Sequence, residues 1–388
     1  MTNKKSKNKA GSNKLATTLP IDPRRSSVYA HPIDMSNTLR LSVLDQSPVL
    51  AGSTPAQALA NSLDLAQHVD RLGYTRLWYS EHHAMDLLAC TAPEILIARA
   101  AGATKRIRVG SGGIMLPHYS PLKVAEVFRT LHAMFPERID LGIGRAPGGG
   151  QLEAYALRRN RQGAQTDDFP KQLAELQAFL HPERFPDDHP FRNIRVAPDA
   201  PGAPDIWLLG SSMWSAVTAA QEGLPYAFAH FFSPIATRQA IEHYQRNFQA
   251  SSSRAKPEAT LAIGVICAPT EEEAKYLHAS VRLLQRRIRM DDRRPVASPE
   301  EALRELAAVP TAPNPLLSFT AGSLDAPEEG EWPRYVVGTP EQVASRLRSL
   351  AEELHLKELI VNTITHSHEA RLRSYQLLAE EMHLEVTA

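Results

Sequence analysis

Leu77-Trp78-Tyr79-Ser80-Glu81-His82-His83, Ile107-Arg108-Val109-Gly110-Ser111-Gly112-Gly113-Ile114-Met115-Leu116-Pro117 and Ile139-Asp140-Leu141-Gly142-Ile143-Gly144-Arg145 are the runs that decide how this chain folds. Each reads as a strand, and each ends in residues suited to chemistry. Between the first two, Pro93 to Thr104 sets Ile95, Leu96, Ala98 and Ala101 at helical spacing with a breaker at each end. Between the second and third, Leu122, Ala125, Phe128, Leu131 and Met134 form another helical stripe. The order is strand, helix, strand, helix, strand.

The same unit extends in both directions. Upstream, Leu39 to Leu44 alternates apolar and polar residues and breaks at Asp45-Gln46-Ser47-Pro48, a strand followed by a loop. Thr54 and Pro55 then open a helix whose apolar face is Leu59, Leu63, Ala66, Val69 and Leu72, closed by Gly73. Downstream of Gly150 the rhythm stalls. Asp167 and Asp168 cap a helix to Leu180, and a proline-rich passage leads to strand five at Ile206 to Gly210. Helix Ser212 to Glu222, strand six at Tyr226 to Phe231, a helix capped by Ser233 and strand seven at Leu261 to Ala268 follow. Thr270 opens a long helix to Met290. Residues 291–334 hold seven prolines, read here as too many for continuous regular structure. Thr339-Pro340-Glu341-Gln342 is a capping box, Glu358 to Ile364 is strand eight, and Ser367 to His383 is the last helix.

Eight strands alternating with helices predict an α/β fold of one (β/α)₈ TIM barrel, residues 38–388, with insertions after strands four and seven. The alternative, a doubly wound sheet, lacks its fingerprint, because no G-x-G-x-x-G follows strand one. Residues 1–37, with Lys4, Lys5, Lys7 and Lys9 among Asn, Ser and Gly, read as a disordered N-terminal extension, and Met35 stands just before the first strand. The formal net charge of zero gives no whole-chain preference for nucleic acid or an anionic membrane. No apolar run approaches the roughly 20 residues of a membrane span. Cys90 and Cys267 are the only cysteines and are far apart, so neither a disulfide framework nor a zinc site is expected, and a cytoplasmic location is the default.

In such a barrel the reacting groups sit at the C-terminal ends of the strands. Those ends carry Asp45, Gln46, Ser47, Glu81, His82, His83, Gly112, Gly113, Gly144, Arg145, Ser211, Ser212, His230, Cys267, Thr363 and Thr365. Adjacent histidines in a strand point to opposite faces, so His82 and His83 cannot chelate one metal together, and only one of them turns inward. Gly112-Gly113 inside a strand fits either a bulge or the close approach of a planar ligand. Arg145 fits either a phosphate contact or a salt bridge at the rim. Gly210-Ser211-Ser212 leads into a helix N-terminus, where free N–H groups and the dipole favour an anion, although serine is also an ordinary cap.

Taken together, Glu81-His82-His83, Arg108 to Pro117, Arg138 to Arg145 and Ala219-Ala220-Gln221-Glu222-Gly223-Leu224-Pro225 resemble the bacterial luciferase-like flavin-dependent monooxygenases, over nearly everything from Leu39 to Met382. The resemblance implies an FMN-dependent oxidoreductase that takes reduced FMN from a separate flavin reductase, and dioxygen, and oxygenates a small organic substrate through a flavin C4a-hydroperoxide. It makes His82 the active-site histidine and general base, and joins Gly112 to Gly113 by a cis peptide beneath the flavin ring. It gives the cofactor phosphate to Arg145, Ser211, Ser212 and Ser215. It names no substrate and leaves open a homodimer. In bacterial luciferase a reactive cysteine stands where this chain has Gly144 and a phosphate-region glutamate where it has Ser211, so light emission is not implied. A deazaflavin-dependent hydride transferase and a non-catalytic FMN carrier are the alternatives. The proline-rich stretch Asp291 to Pro333 is long enough to be a lid.

Overall fold

A computed structural model describes residues 39–158, 168–251, 254–308 and 332–385. The first barrel stave is β1 (Arg40–Asp45), followed by α1 (Pro55–Arg71), whose N-cap Thr54 accepts a hydrogen bond from the Gln57 amide at 3.1 Å. Then come β2 (Arg76–Tyr79), α2 (Pro93–Ala103), the split stave β3 (Arg108–Ser111) and β4 (Ile114–Met115), α3 (Pro121–Met134) and β5 (Ile139–Gly144). The second half is α4 (Gln151–Leu157), α5 (Phe169–Leu180), β6 (Asp205–Gly210), α6 (Met213–Glu222), β7 (Tyr226–Ala229), α7 (Thr237–Asn247) and β8 (Ala259–Cys267). It ends with α8 (Glu271–Arg289), α9 (Pro299–Ala307), β9 (Tyr335–Gly338), α10 (Pro340–Glu353), β10 (Glu358–Asn362) and α11 (His368–Glu381).

All pairings between named strands are parallel, in the order β1, β2, β3, β5, β6, β7, β8, with β10 closing the ring against both β8 and β1. The result is a closed eight-stave parallel barrel with helices between the staves, as the alternation predicts. Register at the seam runs Arg40 opposite Glu358 and Val43 opposite Val361. Where the chain leaves α1, Gly73 takes φ +84°, a conformation that a side chain would strain.

Three elements differ from the expectation. Within residues 291–334, Ser298 caps α9 by accepting from the Glu301 amide at 3.2 Å, and Pro299 sits at the first helical position, where its missing N–H is harmless. β9 pairs with the upper half of β8, Gly264 opposite Tyr335 through Cys267 opposite Gly338, whereas β7 pairs with the lower half from Ala259 to Ala262. The helix expected from Ser233 begins only at Thr237, with no side-chain cap. Residues 1–37 and the greater part of the expected lid, 309–331, lie outside the described residues.

The barrel is filled, not hollow. Trp78 and Trp207 meet edge to face, ring centroids 5.3 Å apart, with Leu44, Ala227, Ala262 and Ile360 around them. Below them lies a buried ionic layer. Arg76 donates to Glu358 Oε1 at 2.6 Å and to Asp140 Oδ2 at 2.9 Å, and its guanidinium lies 4.8 Å from the Trp207 ring centroid. Burial pushes the Asp140 carboxyl up, but Arg76 and Arg108 outweigh it and hold the group below the usual carboxylate range. Removing one partner from such a buried pair costs about 3–5 kcal/mol, so this end of the barrel is firmly closed. Among the described residues no helix is long and apolar enough to cross a membrane.

Candidate active site at the barrel mouth

The alternation of β2 continues past its last paired residue and sorts the Glu-His-His triplet. Trp78 fills the interior, and Ser80 and His82 follow on its side, joined by a 3.1 Å contact from Ser80 Oγ to His82 Nδ1. The His82 amide donates to the Cys90 carbonyl at 3.0 Å, which fixes the backbone. Among the described residues, His82 Nε2 has no hydrogen-bond partner. Burial, reinforced by the neighbouring His83, pushes the His82 pKa down to about 4, so the ring is neutral near neutral pH.

The other face is structural. Glu81 is fully buried and accepts from the Tyr119 hydroxyl at 2.8 Å, from His83 Nε2 at 2.7 Å and from the Met115 amide at 3.0 Å. The His83 amide donates to the Gly148 carbonyl at 2.8 Å, and His118 Nε2 contacts the Pro147 carbonyl at 2.8 Å. Together these contacts pin the loop that follows Arg145 to the end of β2.

At the third stave the Gly112–Gly113 peptide is cis. A Cβ on Gly112 would lie 2.7 Å from Leu44 Cδ1 and 3.0 Å from Trp78 Cβ, and one on Gly113 would lie 2.8 Å from the Gly142 carbonyl oxygen. Both directions are filled by the protein. The barrel's own packing is therefore enough to account for the missing side chains at both positions.

Arg145, exposed at the end of β5, lays its guanidinium 4.3 Å from the centroid of the Trp214 ring in the first turn of α6. This brings together two segments that are distant in sequence. Ser212 is the extended N-cap of α6 and makes no side-chain cap bond, so its hydroxyl is not committed to the helix. Ser211 is half-buried and Ser212 exposed. Ser215 differs from them: its buried hydroxyl donates to the Ser212 carbonyl at 2.7 Å and contacts the Tyr226 hydroxyl at 3.0 Å. Ser215 can offer an anion its backbone N–H, but its side chain shapes the turn. Sequence reading missed Trp214, although an aromatic residue just after the Gly-Ser-Ser stretch was its signal.

The remaining strand ends hold the rim. Asp45 accepts from the Ser47 amide and from Arg371, each at 2.7 Å, and Asn362 donates to Gln46 Oε1 at 2.7 Å. His230 bridges the Thr237 hydroxyl at 2.7 Å and the Pro333 carbonyl at 3.0 Å, securing the approach to β9. Thr363 donates to the Val265 carbonyl, Thr365 to that of Ser367, and Cys267 is buried. No group of three or more His, Cys, Asp or Glu able to hold a metal ion occurs among the described residues.

A family model described as luciferase-like monooxygenase matches residues 39–356. The chain is 42% identical over 345 residues to the uncharacterized protein YwcH of Bacillus subtilis (strain 168), covering 88% of this chain and 98% of that one. It is 36% identical over 344 residues to the N-acetyl-S-alkylcysteine monooxygenase of the same organism, again covering 88% and 98%. Among solved structures, apo-MsnO8 is 44% identical with a TM-score of 0.80, covering 90% of this chain and 99% of that one. The fold alone is shared with two more distant structures. The oxygenating constituent of 3,6-diketocamphane monooxygenase from Pseudomonas putida, in complex with FMN, has 20% identity and a TM-score of 0.63 over 89% of this chain and 97% of its own. An F420-dependent secondary alcohol dehydrogenase has 14% identity and a TM-score of 0.59 over 90% of this chain and all of its own, 100%.

Proposed function

Because the chain belongs to the luciferase-like monooxygenase family, we propose that it uses reduced FMN and dioxygen to oxygenate a small organic substrate, the flavin arriving from a separate reductase. The observation that supports this reading is the contact of Arg145, just past β5, with Trp214 in the first turn of α6, while His82 follows the same end of the parallel strand β2.

The residues fit the cofactor. A helix N-terminus leaves its first amides without partners inside the helix, and a guanidinium beside them completes a phosphate cradle. Arg145 stacked on Trp214 would hold the phosphate with the amides of the first α6 turn, helped by the hydroxyls of Ser211 and Ser212. The Gly112–Gly113 backbone, without side chains, would form the surface beneath the ring. When bound, reduced flavin supplies the electrons that activate dioxygen. The chain's own work is to fix the phosphate, to exclude water with the packed floor under the mouth and to set His82 Nε2 against the reacting oxygen atoms.

The test is a binding titration followed by turnover. FMN should bind in preference to FAD, and Arg145→Ala should weaken FMN about 10- to 100-fold, as expected for a charge-assisted contact of roughly 1.5 to 3 kcal/mol. With a flavin reductase, screening aldehydes, ketones, thioethers and heteroaromatics by mass spectrometry should give a product heavier by one oxygen atom. Unchanged FMN affinity in Arg145→Ala would remove the phosphate role. Binding of a deazaflavin coenzyme with none of FMN would replace oxygenation by hydride transfer.

A further inference from the structure

Ser80 is nearly inaccessible, and among the described residues its hydroxyl has one hydrogen-bond partner, His82 Nδ1 at 3.1 Å. Its backbone is held separately, the Ser80 amide donating to the Asp45 carbonyl at 3.1 Å. A neutral imidazole carries a single N–H, so this contact has two forms. In one, Nδ1–H donates to Oγ; the serine O–H is then buried without an acceptor, and Nε2 faces the mouth as a bare lone pair. In the other, the serine O–H donates to Nδ1, and the ring proton sits on Nε2.

The second form leaves no buried donor unmet. The first leaves the Ser80 O–H unmet, a penalty that shifts the balance by roughly 10-fold or more. Among the described residues Nε2 has no hydrogen-bond partner and is not among the fully buried unpartnered atoms, so it can carry its proton toward a ligand.

We propose that Ser80 locks His82 in the Nε2–H tautomer, so that His82 offers the bound reactants a hydrogen-bond donor and not a base. This rests on the reading above that the mouth is the oxygenation site, and it revises the role given to His82 by family resemblance. To act as a base through Nε2, the ring would have to move its proton to Nδ1 and reverse the Ser80 contact, leaving the buried serine O–H without an acceptor. A fixed donor instead stabilises negative charge as it develops on oxygen, with no proton leaving the ring. Ser80 is thus a positioning residue, acting through His82.

The test needs no cofactor. Long-range ¹H–¹⁵N spectra of histidine-labelled protein at pH 7.5, with the His82 signal identified by its loss in His82→Gln, should show a protonated Nε2 and an unprotonated, hydrogen-bonded Nδ1. Ser80→Ala should remove the Nδ1 hydrogen bond and mix the tautomers. Ser80→Cys, a weaker donor of similar shape, should fall between, and it stands in if the alanine variant misfolds. A protonated Nδ1 in the unmodified protein, or an unchanged tautomer in both variants, would overturn the proposal. Flavin titration is read separately, so failure of the oxygenase reading leaves the spectral result standing, and the reverse also holds. In turnover, His82→Gln keeps an N–H but cannot accept a proton there, and it should retain at least 10-fold more activity than His82→Ala. Equal losses in the two variants would also count against the donor role.

Discussion

One methyl group distinguishes two accounts of Gly113. A Cβ there would meet the backbone of Gly142, with the carbonyl oxygen at 2.8 Å and the carbonyl carbon at 2.9 Å, and backbone cannot rotate aside as a side chain can. Gly113→Ala should therefore lower the urea midpoint of flavin-free protein by about 1–3 kcal/mol of stability, the usual range for overpacking. A normal midpoint combined with lost FMN binding would return the glycine to the ligand. The two histidines divide in the same way. His82→Ala should reduce turnover about 10²- to 10³-fold, the range for a lost donor aimed at developing charge. His83→Ala should act on stability, by about 1–3 kcal/mol, because it strips a hydrogen bond from the buried Glu81 carboxylate. Paired measurements of kcat and thermal unfolding separate these effects. Strand alternation made it legible that the two histidines face opposite ways, and the choice of His82 as the inward one came from the family resemblance. The Ser80 partner was not legible, since a serine two residues before a histidine says nothing about which hydroxyl lacks another acceptor.

At the scale of elements, strands were readable where an apolar run stood between two helical patterns and ended at a turn signal. β9 was missed because Tyr335-Val336-Val337-Gly338 follows a proline-rich stretch, and because nothing in the sequence shows that β8 has an upper half still open to pairing. α9 was missed for the opposite reason: Pro299 was read as a breaker when, after Ser298, it is a start signal. Arg145 and the α6 start were each recognised, but Trp214, which brings them into contact, belongs to packing that only the closed barrel creates. Between β9 and α10 stands a complete capping box, in which Thr339 accepts from the Gln342 amide and Gln342 Oε1 accepts from the Thr339 amide at 3.0 Å. Thr339→Ala should cost about 1 kcal/mol, and hydrogen exchange should locate the loss in the first turn of α10. Uniform loosening across the barrel would contradict that local assignment.

For the molecule as a whole, the neutral buried histidines set an acid limit. Burial pushes both His82 and His230 down to about 4, whereas an unfolded histidine takes up its proton near 6.5. Between those values the unfolded chain binds more protons than the native one, so stability is full above about pH 6.5 and declines as pH falls toward 4. The decline is at most roughly 3 kcal/mol for each ring. Urea midpoints at pH 7.5 and 5.0 should differ in that sense, and His230→Gln should reduce the difference; midpoints equal at both pH values would mean that neither ring is kept neutral. The plugged interior described above, with Trp78 against Trp207 over the Arg76, Asp140 and Glu358 layer, also bears on kinetics. Among the described residues the packed base leaves the strand-end side of the barrel as the way in. Two molecules that must share it cannot come and go at random: the one seated deeper enters first and leaves last. Product-inhibition patterns should accordingly be those of a compulsory-order mechanism, with the flavin as the leading reactant, and random-order patterns would mean that a second way in exists.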